Sequence, residues 1–365
     1  MPRRQGTIVQ RARGYYAVAS TVDAMTGKRH RPRVGPFPTP REARDALDQL
    51  LGDISAQRFT VADRTPLAVY LTGWLAVHRT TLKPSTAHGY RAVIDRYMGP
   101  IAAVPLADLK PSHLNGLYAA MVERGLSPRT VRTLHTVVRR ALNDALRDGV
   151  VMRNVAVAAS LPRTSPPEVR VWTADELRTF LEAVADHPLY PAFYVAAFTG
   201  VRRAELCGLR WDAIDIDRGQ LHITRTLTLV GPNVVWGEPK TTRGRRTVDL
   251  DASTVAVLRR WRLRQAPESL IRVGPGHDRV FDVHPKVLTQ AFAKAVRSAG
   301  LPVITWHALR HGHVTHLLAA GVQPHVVAAR VGHATVGFTL TAYAHTLPTQ
   351  DAGAAEAFAT AVLGS

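Results

Sequence analysis

The stretch His307-Ala308-Leu309-Arg310-His311 gains its meaning from three other short patterns that accompany it in one order along the chain. Upstream, Thr199-Gly200-Val201-Arg202-Arg203-Ala204-Glu205-Leu206 lies at a helix-to-helix turn and runs into Leu209-Arg210-Trp211. Between the two, Pro239-Lys240-Thr241 falls in a turn between predicted strands. Downstream, Val331-Gly332-His333 precedes Tyr343-Ala344-His345. Each pattern alone says little. An arginine in a turn is usually a surface residue, His-x-x-Arg arises often by chance, and a lone tyrosine is usually part of a core.

Together and in this order the patterns resemble those of the tyrosine recombinases, the phage integrase family. The resemblance covers residues 170–347 closely. Residues 61–160 look like that family's helical core-binding domain, a SAM-like fold, and residues 1–55 like its small arm-binding domain. The implied fold is multidomain, mainly α with small β-sheets: an arm-type DNA-binding sheet plus helix at 1–55, a helical core-site DNA-binding domain at 61–160, a mixed α+β catalytic domain at 170–347, and a tail helix at 348–365. By resemblance Arg202 is the first catalytic arginine, Lys240 the β-turn lysine, His307 and Arg310 the His-x-x-Arg pair, His333 the phosphate-binding position after glycine, and Tyr343 the nucleophile. The implied activity is site-specific cleavage and rejoining of DNA through a 3′-phosphotyrosine, in integration or excision of a mobile element. Val331 stands where the family usually has leucine and Gly312 where threonine is common, which bears on packing alone.

The chemistry of these residue types agrees with that assignment. A phosphodiester is an anion, and attack adds charge to its non-bridging oxygens. Two guanidiniums, Arg202 and Arg310, can hold those oxygens bidentately and stay charged at any working pH. Imidazoles at 307 and 333 can donate hydrogen bonds and exchange protons near neutrality. A tyrosine hydroxyl, with a pKa of about 10, is a poor nucleophile until cations lower it. Lys240 is the candidate acid for the leaving 5′ oxygen; the competing reading makes it a DNA contact in a basic hairpin beside Arg243, Arg245 and Arg246. Glu205, one turn after Arg202, either orients a catalytic side chain or is a plain surface carboxylate. No metal, nucleotide or other cofactor is expected, since there is no Walker motif and no carboxylate pair spaced for two metals. His307 and His311 lie four apart with His313 and His316 nearby, a spacing that could bind zinc. Ala308 occupies the glutamate position of His-Glu-x-x-His, which argues against it.

Composition points to the same partner. The chain carries 47 basic and 28 acidic residues among 365, a formal charge of +19, and such an excess favours a polyanion through steering and counterion release. Six of the 47 basic residues are lysines, so a lysine in a motif is a less frequent accident than an arginine. The single cysteine, Cys207, reads as a buried small apolar residue and fits a reducing cytoplasm. No apolar run reaches membrane-spanning length and no signal peptide is legible. The expected location is the cytoplasm of a bacterial host, at the nucleoid.

Outward from the motifs, residues 1–33 hold eight basic residues and one acidic, Asp23. Tyr15 to Val22 reads as a strand, Asp23 to Gly27 as a turn, and Thr39-Pro40-Arg41-Glu42 as a capped helix start running to about Leu51. A basic sheet face can enter a DNA groove; a small cap with a solvated charged face is the plainer reading. Residues 61–160 read as helices over Leu67–His78, from a cap at Ser85 to Tyr97, from Pro111 to about Arg124, and from Ser127-Pro128 to Gly149. Tyr70, Trp74 and Val77 look like the apolar face of the first of these. Trp211 and Trp306 read as core. Leu161 to Glu168 is a linker. Thr173-Ala174-Asp175-Glu176 opens a helix to about Asp186, Leu189 to Gly200 forms another, Leu221 to Val230 alternates as one strand, and Arg246 to Leu250 forms a further strand. Helices follow from about 253, 285, 307, 323 and 338. The tail from Gln350 to Ser365 reads as an amphipathic helix that docks on a neighbouring protomer or on its own domain.

The expected partners are double-stranded DNA at attachment sites and further copies of the chain, as a homotetramer on DNA, with a directionality factor as a third candidate. Two other functions compete: relaxation of DNA by a type IB topoisomerase, and catalytically silent DNA binding by a regulator.

Overall fold

The computed structural model describes residues 6–22, 29–55, 64–163, 169–239, 241–269, 278–343, 360 and 363. The chain divides into two compact units, residues 1–166 and 167–365.

The first unit holds two separate apolar clusters. In the smaller, β1 (Gly6–Arg11) and β2 (Gly14–Ala19) form an antiparallel hairpin with Arg11 opposite Gly14. Strands β3 (Thr21–Val22) and β4 (Arg29–His30) pair with each other, and β5 (Arg33–Phe37) pairs with β2. The expected single strand from Tyr15 to Val22 is therefore two strands, β2 and β3, in different sheets; the turn at 23–27 lies outside the described residues. Helix α1 (Pro40–Ser55) begins where Thr39 Oγ1 accepts the amide of Glu42 at 3.3 Å. It outlasts the expected end at Leu51 because Leu51 and Ile54 still pack beside Leu47 and Leu50 against Ala17 and Ala19 of β2.

The larger cluster is built by α2 (Leu67–His78), α3 (Pro84–Tyr97), α4 (Pro111–Glu123) and α5 (Pro128–Arg147). Ser127 caps α5 by accepting the Thr130 amide at 3.3 Å, and Val131, Leu134, Val138 and Leu142 bury its apolar stripe. Ser85 is not a cap: Lys83 precedes the helix and Pro84 takes its first position, where the missing N–H costs nothing. Val77 also departs from expectation, at 72% exposed. The buried stripe of α2 is Leu67, Leu71, Trp74 and Leu75, and Val77, two residues past Leu75, comes out on the opposite side of the turn.

The second unit places its chemistry at the junction of helices and two small sheets. Thr173 and Glu176 form the expected capping box, with bonds of 3.1 and 2.9 Å, and open α6 (Ala174–Ala183). Then come α7 (Tyr190–Thr199) and α8 (Arg203–Cys207). Strand β6 (Ile214–Asp215) pairs with β7 (Gln220–Ile223), β8 (Thr226–Val230) with β9 (Asn233–Gly237), and β10 (Arg246–Asp249) with β7. The expected strand from Leu221 to Val230 is thus broken after Ile223, because its halves take partners in different sheets. Helices α9 (Ala252–Ser269), α10 (Pro285–Ser298), α11 (Trp306–Ala319), α12 (Pro324–Val331) and α13 (Val336–Tyr343) follow.

The core of this unit is aromatic. Phe292 meets Trp306 edge-on at 5.3 Å and Phe180 at 5.4 Å, the T-shaped arrangement that aromatic quadrupoles favour. This fastens α6, α10 and α11 together. A smaller cluster of Val314, Leu318, Val327 and Val331 seats α12 on α11. Cys207 is fully buried and Trp306 nearly so.

Candidate active site

Two helices end on glycines, and those ends build the site. Gly200 after α7 and Gly332 after α12 both take left-handed backbone, with φ of 62° and 69°, where a β-carbon is unfavourable. Space forbids one as well. A Cβ on Gly200 would lie 2.7 Å from His313 Cδ2, and one on Gly332 2.9 Å from the Arg243 carbonyl.

The turns so formed receive the two arginines. Arg310, on α11 and only 4% exposed, donates from Nη1 to the Gly200 carbonyl at 2.7 Å and from Nη2 to the Val331 carbonyl at 2.6 Å. Arg202 precedes α8. Its Nη2 donates to the Gly332 carbonyl at 2.7 Å, and its Nη1 to Glu205 Oε1 at 2.8 Å. Both guanidiniums therefore grip consecutive carbonyls of the turn that leads into His333. His333 is itself buried, with Nδ1 bonded to Thr339 Oγ1 of α13 at 2.7 Å. His307 stands in the first turn of α11, edge-on to His311 at 4.9 Å.

The electrostatics are set by burial among cations. Burial first, then Arg310, Arg202 and the imidazoles of His311 and His307, push His333 down to about 4. Burial, His311, Arg310 and Arg202 lower His307 to about 4 as well. Its outer side remains open to water, which screens part of that shift. In the free protein both rings are neutral at pH 7. Glu205 is 2% exposed. Burial alone would raise its pKa, but the Arg246 bond and charge, followed by the charge and amide of Arg202, hold it below the usual carboxylate range. The reading of Glu205 as a surface carboxylate is thereby excluded.

Arg202, His307, Arg310 and His333 thus converge, with Glu205 beneath Arg202. Tyr343 is the last residue of α13; its side chain and the whole of Lys240 lie outside the described residues, as does the tail helix apart from Thr360 and Leu363. Sequence reasoning missed Arg246, which it grouped with Arg243 and Arg245 in a basic hairpin. A signal was present: in an alternating strand Arg246 shares a face with Val248, and Val248 is 1% exposed. It also missed Thr339, fully buried beneath His333. His313 and His316 are turned elsewhere, bonding the Ala197 and Trp172 carbonyls. Among the described residues no group of three His, Cys, Asp or Glu side chains is arranged to hold a metal, and no helix is long and apolar enough to cross a membrane.

Residues 170–350 match the phage integrase family. The chain belongs to the phage integrase family. It is a tyrosine recombinase, an enzyme of site-specific DNA recombination of the kind carried by mobile elements. Among its relatives, a XerC-like tyrosine recombinase of Caldanaerobacter subterraneus is 26% identical over 78% of this chain and 80% of its own length. The ICEBs1 integrase of Bacillus subtilis is 22% identical over 89% and 91%. The fold is that of the Tn1549 transposon integrase solved in complex with a circular-intermediate DNA, with a TM-score of 0.68 and 22% identity over 80% of this recombinase and 98% of that chain. A lambda integrase dimer bound to a core site gives 0.60 and 18%, over 94% and 96%.

Proposed function

We propose that this recombinase cleaves its DNA by attack of Tyr343 on a phosphodiester held by Arg202, Arg310 and His333, leaving a 3′-phosphotyrosine and a free 5′ hydroxyl. The observation that carries the assignment is the grip of both arginines on the Val331–Gly332 turn, which brings two permanent cations to the imidazole of His333. A phosphate there meets preorganised charge that need not rearrange as the pentavalent state forms. Neutral His307 and His333 can donate hydrogen bonds without competing as cations. Lys240 supplies the proton to the 5′ oxygen, and Glu205 aims Arg202.

One experiment tests nucleophile and acid together: single-turnover cleavage of ordinary DNA and of DNA with a 5′-bridging sulfur. Tyr343→Phe is expected to form no covalent adduct on either, while binding DNA normally. Lys240→Ala is expected to slow ordinary cleavage by roughly 10²–10⁴-fold and to recover on the sulfur substrate, whose thiolate leaves unprotonated because a thiol pKa is about 8.5. Adduct in the first variant, or equal defects in the second, would remove the residue from its role.

The division of labour along the chain belongs to the same proposal. Residues 1–55 grip a distal arm site, residues 61–160 the core site, and residues 170–347 perform the chemistry. Four copies assemble on paired attachment sites, with the tail at 348–365 linking protomers and a directionality factor biasing the outcome. The separate apolar clusters of the first unit support two binding modules, and the lambda integrase structures include a tetramer on a Holliday junction. Deleting residues 1–55 is expected to make the salt dependence of binding to long attachment DNA shallower and to spare core-site binding; an unchanged slope refutes the arm role.

A further inference from the structure

Arg246 lies in a segment rich in cations, with Arg243 and Arg245 before it, yet its side chain is only 6% exposed. Its bonds run inward. Nη2 meets Glu205 Oε2 at 2.9 Å and Nη1 meets Glu205 Oε1 at 3.2 Å, while Nε donates to the Arg330 carbonyl at 2.6 Å and Nη1 also to the Gly244 carbonyl at 3.1 Å. We propose that Arg246 is a positioning residue for strand cleavage: it fixes the Glu205 carboxylate, which in turn orients Arg202 toward the scissile phosphate. The inference rests on the reading of Arg202 as a phosphate-binding residue.

The geometry leaves Glu205 no slack. A carboxylate offers about four acceptor positions. Four donors fill them: the Arg202 amide and Nη1, each at 2.8 Å, and the two Arg246 nitrogens. Only a planar fork reaches both oxygens and two carbonyls at once; an ammonium cannot. The charges matter equally. Arg202, Arg246 and Glu205 sum to one positive charge. Without Arg246 the remaining pair is neutral, and Arg202 is drawn onto a carboxylate it no longer shares. The cradle then loses its aim, while Arg310 and the many phosphate contacts elsewhere still hold the DNA. Arg246 also sits under the turn that presents His333, since a Cβ on Gly332 would lie 3.0 Å from its Nη1. It is also the first residue of β10 and so anchors the start of that strand.

The test is single-turnover cleavage at saturating DNA, with the DNA dissociation constant measured alongside. The variants are Arg246→Met, Arg246→Lys, Glu205→Gln, Glu205→Gln combined with Arg246→Met, and Arg202→Lys. Arg246→Met is expected to cleave ~10²-fold slower, the scale of a misplacement of about 1 Å at a reacting centre. Arg246→Lys should fall between it and the wild type, and neither should weaken DNA binding. The double variant should be no slower than Arg246→Met alone, because both changes disable one device. Weakened binding with normal cleavage would make Arg246 a DNA contact and overturn the proposal, as would multiplicative losses in the double variant. If Arg246→Met does not fold, the rate and affinity of Arg246→Lys decide. Normal cleavage by Arg202→Lys would sink the active-site assignment itself. A slow Arg202→Lys beside fully active Arg246 variants would sink this inference alone.

Discussion

Two buried carboxylates, one in each unit, have been put to opposite uses. Asp144 in α5 is 6% exposed and Glu205 in α8 is 2% exposed. Asp144 accepts from the Trp74 indole at 2.7 Å, lies 3.2 Å from His78 Nε2, and pairs with Arg147, whose side chain is 75% exposed. Two of its partners belong to α2, so the carboxylate stitches one helix to another across an apolar interface. Glu205 is held by two guanidiniums and a main-chain amide. Arg246 is sealed inside, whereas Arg202 keeps 36% of its side chain exposed. A carboxylate met by an indole consumes its bonding capacity in packing. One met by two cations leaves a net charge and can aim one of them outward.

The largest effect that separates the two concerns catalysis. Glu205→Gln keeps the shape of the side chain but replaces an acceptor oxygen with an N–H₂ facing donors. It is expected to slow single-turnover cleavage by ~10²-fold with DNA affinity changed less than about tenfold. If Asp144→Asn slows cleavage by the folded protein as much, Asp144 too serves the active site and the two carboxylates do not differ in use. A smaller effect concerns stability. Asp144→Asn is expected to cost about 1–3 kcal/mol in denaturant unfolding, with the cleavage rate of the folded protein unchanged. The smallest effect is a pH dependence. Burial and then the Arg330 charge lower His313 to about 4, and His333 stands at about 4 too, against an ordinary 6.5. The unfolded chain therefore binds more protons than the folded one between those values. The stability these neutral rings contribute is present above the unfolded value and declines as pH falls from about 6.5 toward 4. Unfolding midpoints of residues 167–365, followed within the full chain at pH 7.5, 6 and 5, should fall in that order. A flat profile would mean that the rings are not held neutral.

Much of the candidate site was legible because its signals are local. Thr173 with Glu176 announces a helix start, and the glycines at 200 and 332 announce helix ends. The four short patterns gave Arg202, His307, Arg310 and His333 by residue type and order. Val77 and the Leu221–Val230 strand misled for a shared reason. Periodicity reports that a segment is amphipathic, but not where its stripe ends or which strand it pairs with.

The sequence by itself determined the capped start of α6, the glycine ends of α7 and α12, the chemical inventory of the site and the polyanionic character of the partner, since all of these depend on neighbouring residues or on summed charge. Only the tertiary structure decided which cation neutralises Glu205 and which carbonyls receive the arginines. Arg246 lies 41 residues from Glu205, Arg310 110 residues from Gly200, and Arg202 130 residues from Gly332. No local propensity reaches across such separations. The choice between Arg243, Arg245 and Arg246 as the partner of a buried carboxylate is made by strand register and by the glycine turn above it. The energy at stake, that of leaving a charge unpaired away from water, exists only once the chain has folded around it.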